Sequence, residues 1–144
     1  MLTPTPNLQY QLTYTGKQEK KVYSEICEDM NSVHTMNRLI QGDVGSGKTI
    51  VAALAMCLAA ENGYQSAMMA PTEVLAKQHY EYFEHLREEY HLDISPILLT
   101  GSMKESQKKN ARKYIENGTA HIIVGTHALI TDKTVFHNLA LAVT

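Results

Sequence analysis

Gly42-Asp43-Val44-Gly45-Ser46-Gly47-Lys48-Thr49 is the stretch on which the fold turns. A glycine, four residues, then Gly-Lys-Thr is the spacing of a phosphate loop, in which glycines let successive N–H groups turn toward an anion. Lys48 supplies charge for the outer phosphates, Thr49 supplies a hydroxyl for Mg²⁺, and the helix that follows presents its positive end. That mechanism needs a strand before the loop and a helix after it. Met36 to Gln41 reads as a short strand around Leu39 and Ile40. The unbroken apolar run Ile50 to Ala60 reads as the middle of a buried helix, Lys48 to Asn62, stopped by Gly63. The loop does not choose among kinases, ATPases, GTPases and motors.

Working outward, the same alternation repeats. Ser66 to Ala70 is a predicted strand, Glu73 to about Tyr90 a helix, and Ile94 to Thr100 a strand. A helix from Met103 to Asn117 then ends at Gly118, with strands at His121 to Gly125 and Leu139 to Val143. Upstream, Thr15 can cap a helix from Gly16 to about Asn31, where Val22, Ile26 and Met30 recur every four residues beside Tyr23 and Cys27. Residues 1 to 14 form an extended Thr/Pro-rich lead-in. Apolar strands alternating with helices give an α/β class, a parallel sheet covered on both faces, in one domain from 15 to 144.

Composition narrows the partners. Thirteen Lys+Arg against fifteen Asp+Glu give a net charge of -2, so nucleic acid cannot be held by a global positive field and any contact must be local. Cys27 and Cys57 lie in helical patterns without metal spacing and read as reduced core residues. No signal peptide is legible at the start, and Ile50 to Ala60 is too short to cross a bilayer. The expected setting is cytoplasmic, with no membrane partner.

The loop and its flanks, Met36 to Thr49, are followed by Ala70-Pro71-Thr72-Glu73-Val74-Leu75-Ala76-Lys77-Gln78-His79, Leu99-Thr100-Gly101-Ser102 and Val124-Gly125-Thr126-His127-Ala128-Leu129-Ile130. In that order they resemble the first motor domain of superfamily two DNA helicases. The resemblance implies a RecA-like fold that binds ATP and Mg²⁺ through Gly42, Asp43, Val44, Gly45, Ser46, Gly47, Lys48 and Thr49, with Lys48 and Thr49 catalytic and Thr49 on the metal. It implies a DNA-strand track of backbone contacts lined by Pro71, Thr72 and Glu73, by Thr100 and Gly101, and by Gly125, Thr126 and His127. It also places an adenine-reading glutamine near Gln18.

Local physics offers other readings of several of these residues. Thr72 with Glu73 is a complete helix start. Thr15 with Gln18 is a capping box, which explains Gln18 without a nucleotide. Lys104, Lys108 and Arg112, with Lys109 and Lys113 beside them, could face DNA, but a solvated helix face is the weightier reading. Tyr82, Phe83, Leu86 and Tyr90 read as core, not as a stacking platform.

Hydrolysis in such motors needs a carboxylate pair just after an apolar strand. Leu139 to Val143 looks like that strand, and the resemblance puts the acids immediately beyond it. The chain is therefore expected to be part of a longer protein, with a second motor domain and a wedge domain outside it, and alone to bind ATP weakly or not at all and hydrolyse it negligibly. The resemblance also puts the strand next to the phosphate-loop strand later in sequence, so either the sheet has a gap or exposed strand edges drive self-association. The function expected of the intact protein is ATP-driven unwinding or remodelling of branched DNA in recombination and repair. A transcription-repair coupling translocase shares the GDVG start and GTH motif, although Ser46 and Pro71-Thr72-Glu73 argue against it. A small-molecule kinase would call for an Arg-rich lid that is not visible, and a non-catalytic nucleotide-binding module is the third alternative.

Overall fold

Four strands, β1 (Gln65–Met69), β2 (Pro96–Leu99), β3 (Ile122–Gly125) and β4 (Leu139–Val143), pair in the order β2-β3-β1-β4, every pair parallel. This computed structural model describes residues 17–33, 36–39, 48–131 and 133–144. Thr15, Gly42 to Gly47 and the lead-in lie outside the described residues, as does the side chain of Gln18. Among the described residues four α-helices accompany the strands: α1 (Lys17–Met30), α2 (Lys48–Glu61), α3 (Glu73–Tyr90) and α4 (Glu105–Glu116). A 3-10 turn, His127–Leu129, follows β3.

The strand pattern explains the two-layered core. β3 is buried along its whole length, and its side chains alternate between two clusters. Ile122 and Val124 join Leu54, Met56, Leu58, Phe83 and Leu86 under α2 and α3, whereas Ile123 joins Leu99, Ala111 and Ile115 beneath α4. Helices on both faces explain why the strands read as continuous apolar runs rather than alternating ones. Cys57 is fully buried in the larger cluster and both cysteines are free thiols; burial pushes the Cys57 thiol up to about 12.

Helix ends follow local chemistry. The Thr72 hydroxyl accepts from the Leu75 N–H at 3.2 Å and caps α3. At the other end His91 takes a left-handed conformation, φ 51°, a role glycine usually fills. Gly63 and Gly118 turn the chain after α2 and α4 at φ 86° and 82°. β2 is shorter than the predicted Ile94 to Thr100 and begins at Pro96, which has no N–H for the ladder and so stands first.

One expected strand is corrected. Met36 to Leu39 belongs to no regular element, while Ile40 and Gln41 lie outside the described residues. Arg38 is drawn onto α1 by Glu25 at 2.8 Å and Asp29 at 2.7 Å, and Leu39 is 81% exposed. The segment is thus tied to a helix, not hydrogen-bonded into the sheet. Between it and β4 opens a cleft of about 830 Å³, bordered by Met36, Arg38 and Leu39 on one side and by residues 139–144 on the other.

Candidate functional site

Because all four strands run parallel, the residues that leave their carboxyl ends gather at one edge of the sheet, where open α/β sheets bind ligands. Ala70, Pro71 and Thr72 follow β1, Thr100 to Ser102 follow β2, and Thr126 and His127 follow β3. The cleft also reaches Lys48 and Thr49 at the start of α2, together with Ala70, Pro71 and His79. Of the residues expected to line a strand track, Pro71 borders this cleft, whereas those after β2 and β3 do not.

The start of α2 fits an anionic ligand. Lys48 and Thr49 are both exposed, and the first turn holds no acidic residue that would neutralise the helix terminus. Among the described residues no group of three or more His, Cys, Asp or Glu could hold a metal by itself. A single Thr49 hydroxyl suits Mg²⁺ carried mainly by phosphate oxygens.

The predicted strand-track residues divide by depth. Pro71, Thr72, Glu73, Gly101 and His127 are exposed, whereas Thr100 and Thr126 are 4% and 3% exposed and Gly125 is buried between them. Thr100 donates its N–H to Met103 Sδ at 3.3 Å. Gly125 is glycine for a steric reason: a Cβ there would stand 2.1 Å from the Leu99 carbonyl oxygen across the ladder. Gln18 falls in the first turn of α1. Of the basic stripe, Lys104, Lys109 and Lys113 are exposed, and Lys108 is half-buried 3.4 Å from Glu105.

A contact not legible in the sequence joins two of these loops. The Ser102 N–H donates to Glu73 Oε1 at 2.9 Å, and the Ser102 hydroxyl makes a short hydrogen bond to Glu73 Oε2. Those two bonds hold the Glu73 carboxyl below the usual carboxylate range, helped by the charges of Lys108 and His127. The partners are 29 residues apart, beyond the reach of spacing arguments.

With this geometry in place, residues 17–144 match the family of DEAD/DEAH box helicases. The chain belongs to that family. RecG from Aquifex aeolicus is 49% identical over 129 residues, 90% of this chain and 16% of the relative. RecG from Streptococcus pneumoniae is 50% identical over the same length, again 90% of this chain and 18% of the relative. A solved structure of RecG bound to a three-way DNA junction superimposes with a TM-score of 0.80 at 40% identity, covering 93% of this chain and 18% of that one. This DEAD/DEAH box domain thus spans less than a fifth of these RecG relatives, and its similarity to RecG agrees with the order of motifs read from the sequence. No helix among the described residues is long and apolar enough to cross a membrane.

Proposed function

We propose that this chain is the ATP-binding part of a DNA helicase motor, which in the intact protein couples ATP hydrolysis to remodelling of branched DNA in recombination and repair. The observation that carries the reading is the meeting of Lys48 and Thr49 with Ala70 and Pro71, which follow β1, in one cleft of a parallel sheet whose β2 and β3 loops leave at the same carboxyl edge. The likeness to RecG, including the one solved on a three-way DNA junction, supports DNA as the partner.

In this reading Gly45, Gly47 and Lys48 would hold the triphosphate, the Lys48 ammonium would offset its outer charge, and the Thr49 hydroxyl would be a ligand for Mg²⁺. ATP supplies the phosphoanhydride whose cleavage drives the cycle. Pro71, Thr72, Gly101 and His127 meet the strand at the surface, while Thr100, Gly125 and Thr126 shape the ledge beneath it. Such contacts follow a backbone without reading bases, as translocation over any sequence requires. A carboxylate pair to orient the attacking water is expected to come from outside these 144 residues.

Two measurements test this. Lys48→Ala in the intact protein should lower DNA-stimulated ATP turnover by about a hundredfold or more, the scale of losing one charge-stabilising donor. The 144-residue chain alone should show no DNA-stimulated turnover. Full turnover by the Lys48 variant, or measurable turnover by the isolated chain, would overturn the assignment of roles.

A further inference from the structure

Glu73 sits in the proposed strand track, yet a carboxylate beside a phosphate backbone is repulsive. The structure commits its oxygens elsewhere: Oε1 accepts the Ser102 N–H at 2.9 Å and Oε2 accepts the Ser102 hydroxyl. The position a Cβ would take on Gly101 lies 3.6 Å from the same Oε1, so the carboxylate rests against the loop backbone itself. Lys108 of α4 and His127 of the 3-10 turn are near enough to act on it electrostatically. One side chain in the first turn of α3 therefore touches the loop after β2 and is felt at the loop after β3 and at α4.

We propose that Glu73 is a positioning residue: a clasp that fixes the loop from Thr100 to Met103 against the start of α3 and so sets the spacing of the surfaces that grip a DNA strand, without touching the strand itself. The functional consequence rests on the DNA reading above; the clasp does not. The Ser102 bonds remove loop motion that strand binding would otherwise have to suppress, and pre-ordering of this kind strengthens binding without adding a contact. The Lys108 ammonium offsets part of the negative charge that the clasp brings to the track.

The test uses the intact protein with Glu73→Ala, Glu73→Gln, Ser102→Ala and the Glu73→Ala/Ser102→Ala double variant. Amide hydrogen exchange over residues 100–104 reads the clasp directly. Glu73→Ala should speed exchange at the Ser102 amide about tenfold or more, the loss expected for a hydrogen bond to a charged acceptor, and Glu73→Gln should retain most of the protection. Unchanged exchange in Glu73→Ala would overturn the clasp.

Affinity for a fluorescent oligo-dT strand, measured across a salt series, reads its effect on the track. Glu73→Ala should weaken binding several-fold with the salt slope unchanged, because no phosphate contact is lost. Glu73→Gln should restore most of the affinity, and the double variant should bind no worse than Glu73→Ala. Tighter binding with a steeper slope would show that Glu73 merely repels the strand, and additive losses would show that Glu73 and Ser102 act separately; either result sinks the proposal. Should the unaltered protein fail to bind oligo-dT, the DNA reading falls while the exchange measurement still decides the clasp. Ser102→Ala, at an exposed position, probes the same bonds if Glu73→Ala does not fold.

Discussion

At the scale of single residues, Gln65 carries the most structural responsibility per atom. It is 1% exposed, and its amide uses every hydrogen-bonding position it has. Nε2 donates to the carbonyls of Ile115 and Ala120, each at 2.8 Å, and Oε1 accepts from the N–H groups of His137 at 2.8 Å and Asn138 at 3.0 Å. One side chain thereby ties the end of α4, the turn before β3 and the approach to β4 to the first residue of β1. Gln65→Ala removes four hydrogen bonds to backbone groups and should cost this domain about 3 kcal/mol in a denaturation experiment. Gln65→Glu turns an oxygen toward two carbonyls and should raise the new carboxyl's pKa. Above the ordinary carboxylate pKa the native state then holds the extra proton, so the variant should lose stability as pH rises from 5 to 8. Equal stability at both values would refute this account of the site. Neither Gln65 nor the Glu73–Ser102 pair was legible as a contact, because partners 29 to 73 residues apart leave no mark on local spacing.

Elements were far more legible, and the reason is visible in their ends. Thr72 before Glu73 predicts the start of α3 because the cap is a local hydrogen bond, and that bond is present. Gly63 and Gly118 stop helices because their positive φ costs them little. Met36 to Leu39 misled because its apolar character is real but its neighbours are not local: Arg38 finds Glu25 and Asp29 on α1. The site was legible in a similar, partial way. Lys48 and the ends of β1, β2 and β3 were marked by motif, whereas the burial of Thr100 and Thr126 follows from a packing that no single segment encodes. Gly125 shows how motif and packing coincide. It pairs with Leu99, and Leu129 packs close to it, so the glycine of the motif is also the one residue the β2–β3 ladder tolerates there. Gly125→Ala should force the two strands apart, lowering stability by roughly 3 kcal/mol and weakening strand binding with it. Calorimetry of the variant showing an unchanged domain transition would refute that steric account.

For the whole molecule, the sheet has an edge that the described residues leave open. β1 pairs with one side of β4, and on the other side lies the cleft that separates β4 from Met36 to Leu39. β4 is little covered: Leu141 is buried, whereas Leu139, Ala140 and Ala142 are exposed. An apolar strand that no described strand pairs on one side is a template for another strand, and no Lys or Pro stands within it to discourage pairing. In the intact protein we expect a strand from elsewhere in the same polypeptide to fill the cleft. The 144-residue chain by itself has a second copy as the available partner, and it should sediment as a dimer or larger species at tens of micromolar. Leu139→Lys with Ala142→Lys places charge on the exposed positions of the strand and should shift that population to monomer while leaving α3 and the Glu73–Ser102 bonds in place, since neither substitution lies in the loops beside them. A monomeric unaltered chain, or an assembly indifferent to the two lysines, would mean that the open side of β4 is closed by some other arrangement of this sequence.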